Sequence, residues 1–497
     1  MKHYTHYVNG VHMDGTSGRS SPVFNPSTGA QSAEVPLACK SEVENAIAVA
    51  EAAFPAWAAT SVQQRGRIMT RFTALLYKHQ AELAELVSLE HGKVIEDAMG
   101  SVLRGIEVAE FSCGIPHLQK GEFSDNVAGG IDIYSMRKPL GVVAGITPFN
   151  FPAMIPLWMA SMAIVTGNCI VMKPSEKDPA CPMRIAELFI EAGGPAGVFN
   201  IVNGDKEAVD TLLHDSRIKA VSFVGSTAIA QYVYETATKN GKRCQAMGGA
   251  KNHMLILPDA DLEGVANALM GAAYGSAGER CMAISVGVCV GDEVADKLVE
   301  LLTPRIKALK IGSSLDKGLE MGPLVTAAHR EKVMNYIQMG VDEGADLIVD
   351  GRDFTLAGHE SGYFLGGSLF DNVKKDMRSY KEEIFGPVLQ LMRVQNFEEG
   401  IALASDHEYG NGTSIFTRSG SAARTYADQV QVGMVGINVP IPVPLAFHSF
   451  GGWKASVFGD HNQFGMEAVR FYTKVKTVTS RWVESAIATD FSIPTLK

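Results

Sequence analysis

Three amphipathic stretches predict helices in the first 120 residues. Apolar residues recur at helical spacing in 41–59, which opens on Ser-Glu-Val-Glu, a sequence typical of a capping box. The same spacing continues through 63–91, and Gly92 is placed to end that helix as its C′ residue. A third helix is predicted over 96–119.

Beyond residue 120, short apolar runs alternate with helical patterns. The glycine pair at 129–130 lies between two alternating segments and predicts a hairpin. The alternation that follows predicts buried strands of a parallel sheet. The predicted strands are 141–146, 169–173, 198–202 and 220–224, and the predicted helices are 153–165, 182–192 and 206–213.

A second alternating series follows the glycine pair at 248–249 and predicts a second α/β domain. Its last segment, 472–482, is an extended pattern that can pair with the edge of another chain. The predicted strands are 253–257, 285–290, 388–394, 413–416 and 434–438, and the predicted helices are 262–274 and 293–307.

Composition narrows the class of protein. The chain has 497 residues, which favours two to four domains, and 46% hydrophobic with 20% charged residues fits a globular protein. A net charge of −10 offers no basic field for nucleic acid. Seven cysteines without a C-x-x-C pair indicate a reduced compartment and predict neither disulfides nor a metal site. The N-terminus shows no signal-peptide core, so a cytoplasmic protein is expected.

The longest uncharged stretch, 140–172, is long enough to cross a membrane. Pro148, Pro152, Pro156 and Asn168 interrupt it, and there is no second candidate span. We therefore predict a buried strand–loop–helix–strand unit and no contact with a membrane.

The segment Gly-Ser-Ala-Gly-Glu-Arg-Cys-Met at 275–282 carries the first candidate for chemistry. Its glycines let the backbone approach a ligand, and Arg280 could hold the thiol of Cys281 as a thiolate. A buried structural cysteine is the other interpretation. The chain has no G-x-G-x-x-G fingerprint or Walker loop, so a bound nucleotide needs another device.

Four further segments place polar side chains at strand ends. Asn150 follows an apolar strand, where its amide could donate to a developing oxyanion. Lys173 and Glu176 end the next strand, at the edge where open α/β sheets bind ligands. Ser226 begins a helix, a favourable place for phosphate, and Glu383 adds a carboxylate. Alone, each residue also fits an ordinary turn or strand end.

Taken in order, these segments resemble the aldehyde dehydrogenase superfamily from about residue 7 to about residue 482. The motifs are Pro-Phe-Asn-Phe-Pro at 148–152, Lys-Pro-Ser-Glu at 173–176, Phe-Val-Gly-Ser-Thr at 223–227, Glu-Glu-Ile-Phe-Gly-Pro at 382–387 and Phe-Gly-Gly-Trp-Lys-Ala-Ser at 450–456. The resemblance implies that Cys281 is the nucleophile and that Asn150, with the Cys281 backbone N–H, forms the oxyanion hole. The NAD-binding residues it implies are Thr147 and Phe149, Lys173 and Glu176 at the adenosine ribose, Gly225 and Ser226 at the pyrophosphate, and Glu383 and Phe385 at the nicotinamide half.

The same resemblance implies an α/β fold with three parts. An atypical Rossmann-like NAD domain covers 1–120 and 140–250, and an α/β catalytic domain covers 251–447. A β oligomerisation arm covers 121–139 and 466–497, which implies a homodimer or homotetramer.

One segment departs from the hydrolytic members, whose Glu-Leu-Gly-Gly-Lys motif supplies the base that activates water. Here 245–252 reads Gln-Ala-Met-Gly-Gly-Ala-Lys-Asn, so Ala246 or Met247 stands at the base position, depending on the alignment. Neither side chain can take a proton. The acyl-enzyme would wait for a better nucleophile, and a thiol qualifies because thiolates attack thioesters readily. Coenzyme A is the predicted co-substrate.

This departure, with Gly-Glu-Arg-Cys-Met at 278–282, resembles the CoA-acylating methylmalonate-semialdehyde dehydrogenase branch. In that branch two arginines grip the substrate carboxylate, and they correspond to Arg280 and Arg104. A guanidinium matches a carboxylate in bidentate geometry. For Arg104, a surface ion pair with Glu107 or Glu110 is the other interpretation.

The predicted reaction is NAD-dependent, CoA-acylating oxidative decarboxylation of methylmalonate semialdehyde to propionyl-CoA and of malonate semialdehyde to acetyl-CoA. The expected partners are the small semialdehyde and CoA, and the reaction fits valine or inositol breakdown. A hydrolytic NAD-dependent semialdehyde dehydrogenase that gives a free acid is the alternative. A non-enzymatic protein on the same fold is a third, disfavoured by the retained Cys281 and Asn150.

Overall fold

Two large sheets dominate the computed structural model, which describes residues 2–482. The strands are β1 Lys2–His3, β2 His6–Val8, β3 Val11–Met13, β4 Ser20–Asn25, β5 Ala30–Pro36, β6 Phe123–Ala128, β7 Ile131–Pro139, β8 Val142–Ile146, β9 Cys169–Lys173, β10 Phe199–Ile201, β11 Ile218–Val224, β12 Arg243–Met247, β13 Asn252–Ile256, β14 Ile284–Val290, β15 Asp346–Val349, β16 Ser368–Asp371, β17 Val388–Val394, β18 Tyr409–Gly410, β19 Gly412–Phe416, β20 Met434–Ile437, β21 Trp453–Lys454, β22 Val457–Phe458 and β23 Thr473–Arg481.

Helices cover these sheets and fill the connections between strands. The helices are α1 Lys40–Ala59, α2 Val62–Lys78, α3 Gln80–His91, α4 Ile95–Ser112, α5 Ile115–Leu118, α6 Met154–Val165, α7 Ala180–Glu191, α8 Lys206–His214, α9 Thr227–Lys239, α10 Leu262–Tyr274, α11 Asp292–Lys307, α12 Ala327–Asp342, α13 Arg378–Lys381, α14 Phe397–Asp406, α15 Gly420–Gln429 and α16 Gly465–Phe471.

The first large sheet has eight strands in the order β22-β12-β11-β8-β9-β10-β2-β3. Its five central strands, β12 to β10, run parallel. Strands β8 and β9 are buried along their whole length, as is helix α6 between them, which explains why 140–172 carries no charge. Within residues 2–482, no helix combines the length and apolar character needed to span a membrane.

The second large sheet has seven strands in the order β15-β16-β17-β14-β13-β19-β20. All its neighbours are parallel except the edge strand β15. The predicted strands and helices of both series form, and their ends agree with the sequence pattern within two residues. The predicted α/β fold is confirmed.

A three-stranded antiparallel sheet, β23-β7-β6, contains the hairpin predicted at the glycine pair 129–130. Strand β23 pairs with β7 of its own chain over nine residues, from Thr473 to Arg481. Within the predicted arm segment 466–497, the chain is helical up to Phe471 and extended from Thr473 to Arg481. Residues 483–497 lie outside the described residues.

The predicted helices of the first 120 residues needed correction at their ends. Helix α1 begins at Lys40, where the Glu42 carboxylate accepts from the backbone N–H of Cys39, so the predicted start at Ser41 is wrong. The run 63–91 is divided at His79 into α2 and α3. The apolar spacing continues across this single non-helical residue, so the sequence pattern does not show the break. Gly92 ends α3 at φ 92°, as predicted.

Candidate active site

Cys281 is half-buried on the loop between α10 and β14, where it packs against the core of the eight-stranded sheet. The preceding turn is left-handed, with Ser276 at φ 56°, Ala277 at φ 52° and Gly278 at φ 73°. A Cβ at Gly278 would lie 2.1 Å from the carbonyl oxygen of Gly386. The turn thus needs glycine there, because only glycine allows this close approach.

Two asparagine side chains, Asn252 and Asn411, hold the Cys281 loop from the second sheet. Their Nδ2 atoms donate to the Cys281 carbonyl at 2.9 and 3.0 Å. Asn252 also donates to the carbonyl of Ala283 and accepts from the backbone N–H of Gly412. Neither residue was predicted from the sequence. Asn252 belongs to the segment 245–252 and Asn411 lies between two glycines, and these two positions were the sequence features that could have indicated them.

One of the two interpretations of this segment, that Arg280 holds Cys281 as a thiolate, is not supported by the structure. Burial raises the pKa of Cys281 to about 12, the charge of Glu383 adds to the rise, and Lys93 only partly opposes it. The Arg280 guanidinium is paired with the partly buried carboxylate of Asp97 at 2.8 Å, so its charge is already compensated. It also donates to the carbonyl of Gly271 at 3.2 Å.

Asn150 follows β8 and is buried, and Lys93 holds its backbone. The Lys93 ammonium donates to the backbone carbonyl of Asn150 at 3.0 Å and lies 3.9 Å from the centre of the Phe151 ring. The Asn150 carboxamide makes no hydrogen bond to any residue in the range 2–482. Its N–H groups are therefore available to a ligand.

Arg104 forms an ion pair with Glu107, as the alternative interpretation of this residue held. Its other nitrogen donates to the carbonyl of Pro444 at 2.6 Å, so it also contacts the loop after β20. Arg104 and Asp97 are seven residues apart on α4, which places them on one face, about 10 Å apart along the axis. Arg280 and Arg104 thus both lie along α4, although the two guanidinium groups do not share a partner.

Lys173 and Glu176 are brought together at the end of β9, with Nζ and Oε2 3.5 Å apart. Burial lowers the pKa of Lys173, and Glu176 partly opposes the shift. Burial alone would raise the pKa of Glu176, but Lys173 and Lys177 lower it below its ordinary value. The two side chains form an ion pair, and the ammonium has donors left for a hydroxyl group.

Thr147 and Phe149 lie beside this pair. The backbone N–H of Thr147 donates to the Lys173 carbonyl at 3.1 Å, and its hydroxyl has no partner among the described residues. The Phe149 ring lies 5.2 Å from Lys177 Nζ and is perpendicular to the Phe385 ring at a centroid distance of 6.0 Å. One aromatic ring therefore links the strand ends of the first sheet to the segment after α13.

Gly225 and Ser226 lead into helix α9 at the end of β11. The Gly225 backbone N–H donates to the Met247 carbonyl at 3.0 Å. Ser226 is the exposed N-cap of the 13-residue helix, and its side chain does not bond the helix backbone. The first turn of α9 is thus open to an anion.

Glu383 and Phe385 face the site from the segment after α13. Glu383 lines the same cavity as Cys281, and its Oε1 accepts from the backbone N–H of Ala250 at 3.0 Å. Phe385 has φ 60°, and His329 Nε2 lies 2.7 Å from its carbonyl oxygen. Burial raises the pKa of Glu383 to about 7.

The segment 245–250 contains no ionisable group near the cavity. Ala246 and Met247 are buried in β12, where they pair with Phe223 and Val224 of β11. Beyond them, Gly248 donates to the Ser456 carbonyl at 2.8 Å. Neither residue offers a proton acceptor, whichever of the two stands at the base position.

A buried group of ionisable residues behind Phe149 was not predicted. Glu279 is fully buried, with His91 Nε2 at 3.6 Å and His329 Nε2 at 3.5 Å from its two oxygens. Burial raises the pKa of Glu279 well above its ordinary value and lowers that of both histidines, so burial favours the uncharged form of all three side chains. Only the fold brings α3, α12 and the Cys281 loop together.

Comparison with known proteins finds relatives that match nearly the whole chain. A malonate-semialdehyde dehydrogenase from Pseudomonas aeruginosa is 58% identical over 493 residues, which are 99% of each chain. A methylmalonate-semialdehyde dehydrogenase from Oceanimonas doudoroffii superposes with a TM-score of 0.96 at 56% identity, covering 98% of this chain and 99% of that one. A Sinorhizobium meliloti structure complexed with NAD superposes with a TM-score of 0.97 at 56% identity and the same coverage.

The model of the aldehyde dehydrogenase family matches residues 12–478, which is nearly the whole described range. The resemblance inferred from the sequence motifs is thereby confirmed. With a family match of this extent and relatives of this identity, the chain belongs to the aldehyde dehydrogenase family.

Proposed function

We propose that the protein is an NAD-dependent, CoA-acylating dehydrogenase that converts methylmalonate semialdehyde to propionyl-CoA and malonate semialdehyde to acetyl-CoA. The names of the relatives support semialdehyde oxidation. The observation that carries the CoA-dependent part is the lack of a proton acceptor at Ala246 and Met247, both buried in β12. Without a base at that position to activate water, a thiol is the better nucleophile toward a thioester.

Cys281 and Asn150 carry the first step of the proposed reaction. The Cys281 thiol gives up its proton to solvent as its sulfur attacks the aldehyde carbon, and the resulting oxyanion accepts from the Asn150 carboxamide and the Cys281 backbone N–H. The free carboxamide of Asn150 and the two asparagine bonds to the Cys281 carbonyl support these roles. When bound, NAD supplies the hydride acceptor.

The residues proposed to hold NAD fit its polar groups. Lys173 can donate to the adenosine ribose and Glu176 can accept from its hydroxyls, because both are charged and lie together. Gly225 and Ser226 place the open end of α9 at the pyrophosphate. Thr147 and Phe149 line the same edge, and Glu383 with Phe385 is proposed to face the nicotinamide half.

Arg280 and Arg104 are proposed to bind the substrate carboxylate. After hydride loss, that carboxylate is β to the thioester carbonyl, so CO2 can leave as the carbonyl oxygen becomes an enolate oxygen. The oxyanion hole that stabilised the first intermediate can stabilise this one. Both arginines have carboxylate partners in the protein, Asp97 and Glu107, so the substrate must compete with them or share the guanidinium.

The domain division follows the sheets in this proposal. The eight-stranded sheet unit would bind NAD, the seven-stranded unit would carry the nucleophile, and β6-β7-β23 would join subunits. Val475 and Phe123, on the two outer strands of that small sheet, are 58% and 65% exposed, which supports an interface there. A dimer or tetramer in analytical ultracentrifugation is expected.

Steady-state NADH formation with each semialdehyde, with and without CoA, tests the proposal. We expect multiple turnovers with CoA and little beyond one turnover per site without it. CO2 release should match NADH formation. Sustained turnover without CoA would instead identify the hydrolytic alternative, and the product would be a free acid.

A further inference from the structure

Glu383 provides the one carboxyl group that lines the Cys281 cavity within residues 2–482. Its Oε1 is held by the Ala250 backbone N–H at 3.0 Å, whereas Oε2 has no hydrogen-bond partner in the described chain. The other charged residue of the lining, Arg280, is already paired with Asp97. Glu383 therefore has one oxygen that is fixed and one that is free to exchange a proton.

Lys251 anchors the segment that carries Glu383. Lys251 Nζ donates to the backbone carbonyls of Ser379 at 2.8 Å and Glu382 at 2.9 Å. These two bonds fix the chain on the N-terminal side of Glu383, and the Ala250 contact fixes its side chain. The carboxyl group is thus held at the cavity by three hydrogen bonds from residues 250 and 251.

We propose that Glu383 is the base that takes the proton of an incoming thiol and passes it to the Cys281 sulfur when the acyl group is transferred. This inference rests on the proposed function, because it needs a thioester on Cys281 and a thiol co-substrate. It gives Glu383 a role in the second half of the reaction, in addition to its proposed contact with the nicotinamide half.

The proton and electron balance of the step is simple. Glu383 Oε2 removes the S–H proton while the thiol sulfur bonds to the thioester carbonyl carbon, and the carbonyl oxygen becomes an oxyanion next to Asn150. When the C=O bond re-forms, the bond from carbon to the Cys281 sulfur breaks. The leaving sulfur takes the proton from Glu383, which returns to its ionised form. Nothing is oxidised or reduced.

Both sulfur atoms need this proton transfer. Burial raises the pKa of Cys281 to about 12, so its sulfur leaves more easily as a thiol than as a thiolate. Burial raises the pKa of Glu383 to about 7, while Lys251 and Lys332 limit the rise. A thiol of the cysteine type has a reference pKa of about 8.5, within two units of that of Glu383, whereas water at about 15.7 is far above it. The charge of Glu383 also raises the pKa of Tyr409.

The discharge of a preformed acyl-enzyme isolates this step from hydride transfer. The propionyl-enzyme is prepared with NAD and propanal, its formation is checked by intact mass, and nucleotides are removed by gel filtration. Loss of the propionyl group is then timed with CoA, with ethanethiol and with 2,2,2-trifluoroethanethiol. The last two are similar in size, but the trifluoromethyl group makes the thiol much more acidic.

In Glu383→Gln we expect discharge by CoA and ethanethiol to slow by about 10²- to 10⁴-fold, the usual contribution of a general base. At a pH where trifluoroethanethiol is ionised, the same substitution should slow its reaction by less than about tenfold, because a thiolate has no proton to give. Glu331→Gln, a matched change at an exposed carboxylate on α12, should leave all three rates near wild type. An equal loss with both small thiols, or no loss, would overturn the proposal.

A measurement on the wild-type protein keeps the inference testable if Glu383→Gln does not fold. With Glu383 as the base, the ethanethiol rate should rise through about pH 7 and then level off, because the reacting pair is neutral thiol plus carboxylate. A rate that follows the ionisation of free ethanethiol would refute it. If CoA fails to discharge even the wild-type acyl-enzyme, the proposed function fails; a Glu383-independent discharge refutes only this inference.

Discussion

Lys93 Nζ donates to the backbone carbonyl of Asn150 at 3.0 Å, from a position that is 1% exposed. The ammonium also lies 3.9 Å from the centre of the Phe151 ring, which adds a cation–π contact. Lys93 therefore holds the backbone carbonyl of Asn150 and the ring of the residue that follows it. Its charge also acts in the direction that lowers the pKa of Cys281.

Lys93→Met should slow the pre-steady-state NADH burst by about tenfold or more, since direct loss of an oxyanion donor costs about 10²–10³ and this loss is indirect. KM for the aldehyde should change less than the burst rate, because the effect lies in the oxyanion. Burial lowers the pKa of Lys93 to about 8, so the wild-type advantage should fade as the pH rises through 8 and the charge is lost. A burst rate within twofold of wild type at pH 7 would rule out this role.

The thiol of Cys281 should be neutral in the free protein. Because burial raises its pKa to about 12, alkylation by iodoacetamide should accelerate about tenfold per pH unit between pH 7 and 10 without a plateau. Peptide mapping by mass spectrometry follows Cys281 separately from the other cysteines. A plateau below pH 9 would mean that a thiolate is already stabilised. Cys281→Ala should abolish the NADH burst while NAD still binds.

NAD should be preferred over NADP because of Glu176. A 2′-phosphate would meet this carboxylate, whose pKa the two neighbouring lysines hold below its ordinary value. Glu176 is partly exposed and Lys173 lies 3.5 Å away, so screening keeps the expected preference modest, at about ten- to a hundredfold in kcat/KM. Glu176→Gln should narrow the ratio of the two kcat/KM values. A ratio that Glu176→Gln leaves unchanged would remove Glu176 from cofactor selection.

Features that depend on neighbours in the sequence could be predicted. Strands β8 and β9 are apolar runs bounded by turns, and a parallel sheet buried on both faces requires such runs. Lys173 and Glu176 are three residues apart, so their pairing follows from one strand end. The motifs around Asn150 and Cys281 indicated the family because several of them occur in the expected order.

Features that depend on distant segments could not be predicted. The Asn411 side chain reaches the Cys281 carbonyl across 130 residues, and the Arg280 partner Asp97 belongs to a helix of the other half of the chain. No local pattern records these contacts. The thiolate interpretation of Cys281 failed for this reason: the sequence places a positive charge beside Cys281 but shows neither the burial that raises the pKa of the thiol nor the pairing of Arg280 with Asp97.

The Arg280–Asp97 pair makes the test of carboxylate recognition specific. If Arg280 binds the substrate carboxylate, Arg280→Leu should lower kcat/KM for the semialdehydes far more than for propanal, which has no carboxylate. The difference should be about 2–5 kcal/mol, the usual cost of unpairing a buried charge-assisted contact. Comparing the two aldehydes cancels any change in the reactivity of Cys281 that both share.

Arg280→Leu alone would also leave the partly buried Asp97 carboxylate without its partner, which is destabilising in itself. The double variant Arg280→Leu/Asp97→Asn removes both charges and should unfold at a higher temperature than Arg280→Leu, yet show the same selective loss with semialdehydes. Asp97→Asn alone should keep Arg280 and change KM only moderately, because it removes both a competitor for the guanidinium and a contact that orients it. An equal loss of kcat/KM for semialdehyde and propanal in the double variant would mean that Arg280 acts on Cys281 and does not recognise the substrate.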